Sequence, residues 1–84
     1  MAKSPFIESI RADLRARRYS IRTEKTYLFW IRQFIYFHHM RHPKDMANAE
    51  IEQFLSYLAN VRNVSSATQN LALCALMYMY NNIL

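Results

Sequence analysis

The side chains best suited to chemistry in this sequence lie between positions 22 and 36, and the chemistry they suit is anion binding. Arg22, Lys25, Thr26, Phe29, Arg32, Gln33 and Tyr36 fall on a single stripe when the segment is wound at about 100° per residue. A solvated helix face usually mixes both charge signs, but this stripe holds three cations, two aromatics and no acid. It is the candidate nucleic-acid surface, with solubility charge as the alternative reading.

Other chemistries are less well supplied. His38 and His42 are four residues apart with His39 between them, a spacing that matches metal ligands on a helix. Pro43 breaks the helix there, however, and no cysteine or further histidine completes a site. Cys74 is the only cysteine, so no internal disulfide is possible, and a reducing, cytoplasmic compartment is expected. It sits between Leu73 and Ala75 in an apolar run, which suits a small core residue better than a catalytic thiol. No metal or other cofactor is expected.

Charge is distributed unevenly. The 84 residues carry a net charge of +5. Residues 1–44 hold ten of the eleven lysines and arginines against three acids, whereas residues 45–84 set Arg62 against Asp45, Glu50 and Glu52. Such polarity suits a polyanionic partner on one side of the molecule. No apolar stretch is long enough to span a bilayer, and the N-terminus lacks a signal-peptide core. A basic amphipathic helix can lie on an anionic membrane. Here aromatics occur on both faces of the second segment, which fits a packed domain and no membrane partner.

These side chains need helices to position them. The chain has no glycine and two prolines, which disfavours hairpin turns and phosphate-cradling loops. The expected fold class is all-α: a four-helix bundle in one domain, with helices at about 5–17, 20–39, 49–61 and 66–84. Ser4 and Pro5 open the first helix, whose apolar stripe is Phe6, Ile7, Ile10 and Leu14. Arg11, Arg15 and Arg18 lie on another face, where Glu8 and Asp13 dilute their charge. Ser20 caps the second helix, which turns Tyr27, Leu28, Ile31, Phe34, Ile35 and His38 to the core. Trp30 and Phe37 lie beside that face, with the first helix expected to cover them.

Residues 40–48 form the longest connection, in which Arg41, His42 and Lys44 are placed to touch phosphates. Asn48 is expected to cap the third helix, with Ile51, Phe54, Leu55, Leu58 and Val61 on its core face. Ser66-Ala67-Thr68-Gln69 has the form of a capping box opening the fourth helix. That helix starts polar and ends apolar on nearly all sides, with Leu73, Leu76, Tyr80 and Ile83 expected in the core. Four short helices can hardly bury it, and no C-cap precedes the end at Leu84. The expectation is a single N-terminal domain over 1–84 cut from a longer protein, with Met77, Tyr78 or Met79 left exposed or used for self-association.

The segments YSIRTEKTYLFWIRQFIYFH, RHPKDM, FLSYLA and NVSSATQNLALCALMYMY resemble, in order and spacing, the N-terminal core-binding (SAM-like) domain of integron integrases. These belong to the tyrosine recombinase (phage integrase) family. The Ser20-x-x-Thr23-x-x-x-Tyr27 pattern is widespread in that family, while the His42-Pro43 pair and the run from Ser65 to Asn70 are more particular to the integron branch. The resemblance implies a DNA-binding module that, with a separate catalytic domain, clamps a duplex or folded single-strand recombination site. It also implies other recombinase protomers as partners.

Carried over by position, the resemblance implies that Arg22, Thr23, Lys25, Thr26 and Arg32 approach DNA from the second helix. Ser65, Ser66, Thr68, Gln69 and Asn70 approach it from the fourth. The family's strand-cleaving tyrosine and its assisting residues belong to the catalytic domain, and none of the six tyrosines here lies in the nucleophile's motif. The 84 residues should bind and not cut. Two other readings use the same residues: a helical protein–protein interaction module, and a helix-turn-helix regulator, which the concentration of cations on the second helix disfavours.

Overall fold

The computed structural model describes residues 4–84. Four α-helices are present: α1 (Pro5–Ala16), α2 (Ile21–Phe37), α3 (Asn48–Asn60) and α4 (Ser66–Asn82), with a 3₁₀ turn at Pro43–Asp45. The all-α four-helix architecture expected from periodicity is the one observed.

Local signals account for most helix starts. Ser4 accepts from the Ile7 N–H at 3.4 Å with Pro5 at the first helical position. Ser20 accepts from the Thr23 N–H at 3.1 Å. Two starts differ from expectation. The α3 cap is Ala47, which has no side-chain acceptor, and Asn48 is already helical. Glu50 does the capping in reverse, its carboxylate accepting from the Ala47 N–H at 2.6 Å. The α4 cap is Ser65, not Ser66, with the Thr68 N–H donating to its hydroxyl at 3.2 Å.

Without glycine, the ends of α1 and α2 use other residues in the left-handed region. Arg18 (φ 61°) closes α1, with Tyr19 N–H donating to Leu14 C=O at 3.1 Å and Arg18 N–H to Arg15 C=O at 3.0 Å. His39 (φ 59°) and Met40 (φ 65°) close α2 in the same pattern, with Met40 N–H on Ile35 C=O at 2.9 Å. This ends α2 at Phe37, two residues before the expected boundary.

The core is built on α2. Ile31 and Phe34 have no exposed surface, and burying side chains of that size contributes about 1.5–3 kcal/mol each. α4 is the helix packed most extensively against α2. It buries Ala72, Ala75, Leu76, Tyr78 and Met79, while Leu73, Tyr80 and Ile83 are only partly buried. The alanines let the α4 backbone come close, which moves its inward face away from the one expected from large residues alone.

Trp30 and Phe37 are covered by α3, not α1. Phe54 lies 6.4 Å from Trp30 and 5.5 Å from Phe37, and Tyr57 lies 4.8 Å from Phe37, all between ring centroids. The first helix sits on the other side of α2, where Arg15 meets Glu24 at 2.8 Å. Val61, expected in the core, is 66% exposed because it falls past the end of α3.

The connection from His38 to Met46 is tied down. His38 Nε2 donates to the Glu50 carbonyl at 2.9 Å, which fixes the proton on that nitrogen. His42 Nδ1 accepts from the Lys44 N–H at 3.1 Å, and the His42 ring lies 4.7 Å from Phe6. Tyr80 donates to the Pro43 carbonyl at 2.7 Å. Among the described residues no group of histidine, cysteine and carboxylate side chains is placed to hold a metal.

On α4, Met77 is 40% exposed, whereas Met79 is fully buried. Tyr78 is covered by Tyr19 and Tyr27, at 6.0 and 5.6 Å, and its hydroxyl donates to Asp13. That hydrogen bond, followed by the Arg17 guanidinium, holds the Asp13 carboxyl below its ordinary range. Burial first, and the Asp13 contact second, push the Tyr78 hydroxyl well above its own.

Two outcomes follow for stability. Arg18→Gly and His39→Gly relieve left-handed strain, and each should stabilise the fold by about 0.5–1 kcal/mol, read as a higher urea midpoint at unchanged m-value. Alkaline pH should act in the opposite direction. Burial holds Tyr80 up to about 12 and Tyr78 higher still, so the folded chain keeps protons that the unfolded chain loses near pH 10. The stability these groups supply is complete below about pH 10 and falls as pH rises past it. Tyr80→Phe should flatten part of that fall in a series of urea midpoints.

Candidate nucleic-acid interface

The outward face of α2 is set by its inward one. Because Leu28, Ile31 and Phe34 are fixed in the core, helical geometry turns Arg22, Lys25, Phe29, Arg32 and Tyr36 to solvent, and all five are exposed. Phe29 is 49% and Tyr36 57% exposed, which is high for aromatic residues in a chain with a core to fill. Thr26 and Gln33, at the edge of the stripe, are half-buried.

Electrostatics separates this stripe from α1. The described residues contain three ion pairs: Arg11–Glu8 at 3.1 Å, Arg15–Glu24 at 2.8 Å and Arg17–Asp13 at 2.7 Å. Every acid among residues 4–44 is therefore matched to an arginine of α1 or of its C-cap. Among the described residues Arg22, Lys25 and Arg32 have no carboxylate within 4.0 Å. Their charge is uncompensated, which is the condition under which a surface attracts a polyanion.

The expected site residues form two groups. Lys25 and Arg32 line an open groove of about 450 Å³ between α1 and α2, together with Arg11, Arg15, Phe29 and Tyr36. Ser66, Gln69 and Asn70 line a second depression between α3 and α4, beside Leu55 and Leu73. The two depressions share no lining residue. Arg22, Thr23, Thr26, Ser65 and Thr68 line neither.

Hydrogen bonding sorts the polar members. Ser20 donates to Thr23 Oγ1 at 3.0 Å and Ser65 to Thr68 Oγ1 at 3.0 Å, so the same serine–threonine pair opens α2 and α4. In each pair the threonine proton remains free to donate. Thr26 donates to the Arg22 carbonyl at 2.9 Å, which commits its proton. Gln69 Nε2 donates to the Leu55 carbonyl at 3.3 Å, turning that amide toward α3. Ser66 and Asn70 are exposed.

Sequence reasoning missed Arg11, Arg15 and Glu24. Glu24 is 5% exposed and is the buried charged residue of the described chain. Its position among the inward residues of α2 was readable from the helical period. An acid there calls for a cation from a neighbouring helix.

Fold and site together define a small, basic, all-α module with a cation-rich helix face. Residues 6–84 match the family described as phage integrase, N-terminal SAM-like domain. Two similar proteins, each named "Integrase/recombinase", come from Escherichia coli and Pseudomonas aeruginosa. Each is 45% identical to this chain over 78 residues, covering 93% of the chain and 23% of the relative. The chain belongs to the phage integrase N-terminal SAM-like domain family, and it spans less than a quarter of the length of those relatives. Among the described residues no helix is long and apolar enough to cross a membrane.

If the stripe contributes surface charge and not packing, its loss should leave the fold intact. Lys25→Gln and Arg32→Gln should each change unfolding free energy by less than about 0.5 kcal/mol. Leu28→Ala, a buried residue one turn from each of them on the same helix, should cost about 2–5 kcal/mol. Urea denaturation of the three variants measures the contrast.

Proposed function

We propose that this domain is the DNA-binding module of a site-specific tyrosine recombinase of the integron type. It holds the recombination site while a catalytic domain outside these 84 residues cleaves and rejoins strands. The observation that carries the reading is the α2 face: three cations without acidic partners, interleaved with two exposed aromatics. Family membership and the recombinase names of the two relatives support it.

In this reading Arg22, Lys25 and Arg32 neutralise phosphates, and affinity comes mainly from the release of counterions. Thr23 donates its free hydroxyl proton to a phosphate oxygen, with Thr26 beside it. From α4, Ser65, Ser66, Thr68, Gln69 and Asn70 present hydroxyls, amides and the first N–H groups of a helix, a combination suited to phosphate oxygens. Duplex DNA and folded single strands both offer the required backbone. The catalytic domain of the same protein and other protomers complete the assembly.

A second reading, a protein-interaction module, draws on a different face. Leu71 (46%), Met77 (40%) and Leu84 (46%) are exposed apolar residues on and just after α4, with exposed Cys74 between the first two. The two readings separate on charge. Fluorescence anisotropy with labelled duplex and hairpin DNA should give a binding constant falling steeply with salt, by about 0.9 log units per log unit of salt for each duplex phosphate neutralised. Lys25→Glu combined with Arg32→Glu should abolish binding while circular dichroism and melting stay unchanged. Undiminished binding by that double variant would sink the assignment of the α2 face.

A further inference from the structure

The cationic surface does not stop at α2. The groove between α1 and α2 is lined by Arg11 and Arg15 on one wall and by Lys25 and Arg32 on the other, with Phe29 and Tyr36 along its α2 side. Glu24 is the only acid in that lining. Its carboxylate accepts from Arg15 Nε at 2.8 Å. Bonding through Nε leaves the guanidinium edge formed by its two terminal nitrogens free to donate, on a side chain that is 62% exposed. Arg11 is held in a similar way, through Nη1 to Glu8 at 3.1 Å, with its side chain 25% exposed. The groove thus presents two arginines braced by acids and two free cations, from two helices, around an open channel.

We infer that the α1/α2 groove is a second phosphate track, in which Arg11 and Arg15 carry a strand of the bound DNA beyond the α2 face, with Glu24 as the positioning residue for Arg15. The inference rests on the DNA-binding reading and extends it to a helix that reading does not use. Charge complementarity selects the occupant. Four cationic side chains against two engaged carboxylates, Glu24 and Glu8, suit a chain of regularly spaced anions. Phe29 and Tyr36 add exposed apolar area on which deoxyribose faces can rest. Bracing matters because a free arginine loses side-chain entropy when it grips a phosphate, whereas Arg15 is already ordered by Glu24.

The test is the salt dependence of binding to a duplex long enough to span both helices. Arg11→Gln and Arg15→Gln should each lower the slope of log K against log salt by about 0.9, and the pair by about 1.8. Glu24→Gln removes the brace but not the cation, so it should weaken binding several-fold with the slope kept near that of the parent chain. Arg15→Gln leaves Glu24 without its partner, and that variant is open to a folding defect. Arg11→Gln leaves behind only the half-buried Glu8 carboxylate, not a buried one, and carries the test if Arg15→Gln melts early.

An unchanged slope in folded Arg11→Gln and Arg15→Gln, alongside a reduced slope in Lys25→Gln and Arg32→Gln, would overturn the groove and leave the α2 face standing. Absence of DNA binding by the parent chain would overturn the broader reading first. A slope that falls with DNA but not with inorganic pyrophosphate supports the strand. Equal effects on both ligands would reduce the groove to a simple anion site and reject the track.

Discussion

The ion pair between Glu24 and Arg15 is the contact on which the rest of the arrangement turns. A carboxylate that is 5% exposed is costly to bury unless it is paired and hydrogen bonded. Arg15 answers it from the neighbouring helix at 2.8 Å, so α1 is held against one particular side of α2. The hydrogen bond to Glu24 in turn raises the affinity of Arg15 for its own proton. Apolar packing alone is non-directional, so Ile10 and Leu14 fix which stripe of α1 faces inward but say less about which flank of α2 it meets. The pair supplies a direction. It places α1 on the flank opposite Trp30 and Phe37 and leaves those aromatics to α3.

The same pair shapes the electrostatics. Glu8, Asp13 and Glu24 are each matched to an arginine of α1 or its C-cap, so no acid is left to face Arg22, Lys25 or Arg32. The charge excess of the first half of the chain is displaced onto α2 and its flanks. An acid placed one turn from Lys25 or Arg32 on the outward face, in place of buried Glu24, would have given the same net charge and a mixed, ordinary helix surface. Location, more than total charge, distinguishes this face. The burial of Glu24 is the structural reason for that location.

Much of the fold could be read from sequence because its determinants are local. The caps at Ser4 and Ser20, the 3.6-residue periodicity of α2, and the break before Pro43 depend on neighbours within one turn. What escaped depends on partners far along the chain. Trp30 and Phe37 look alike from sequence whichever helix covers them, and only the docking of Phe54 and Tyr57 decides it. Tyr78 reads as one more apolar residue on an over-greasy helix until Asp13, 65 positions away, accepts its hydroxyl proton. The α4 core face was misjudged because periodicity weighs large residues, while close helix approach is made by Ala72 and Ala75. At the site, the exposed cations of α2 were legible by elimination from the core face. Arg11 and Arg15 were not, since their place in the groove depends on how two helices dock.

The polar residues at the two helix starts narrow what such a surface can do. Ser20 with Thr23, and Ser65 with Thr68, are tied to each other and to the backbone amides they cap. Their first duty is to begin α2 and α4, and only the threonine protons remain to be offered. Gln69 is turned to the Leu55 carbonyl. A two-pronged contact to an adenine edge needs both ends of an amide turned outward, and of the two amides at the start of α4 only exposed Asn70 is not already held against α3 in that way. Nearly all the remaining outward capacity is charge and hydroxyl protons, groups that suit a sugar–phosphate backbone whatever its sequence. Groups of this kind match a repeating anionic backbone and offer few of the paired donors and acceptors that base edges require.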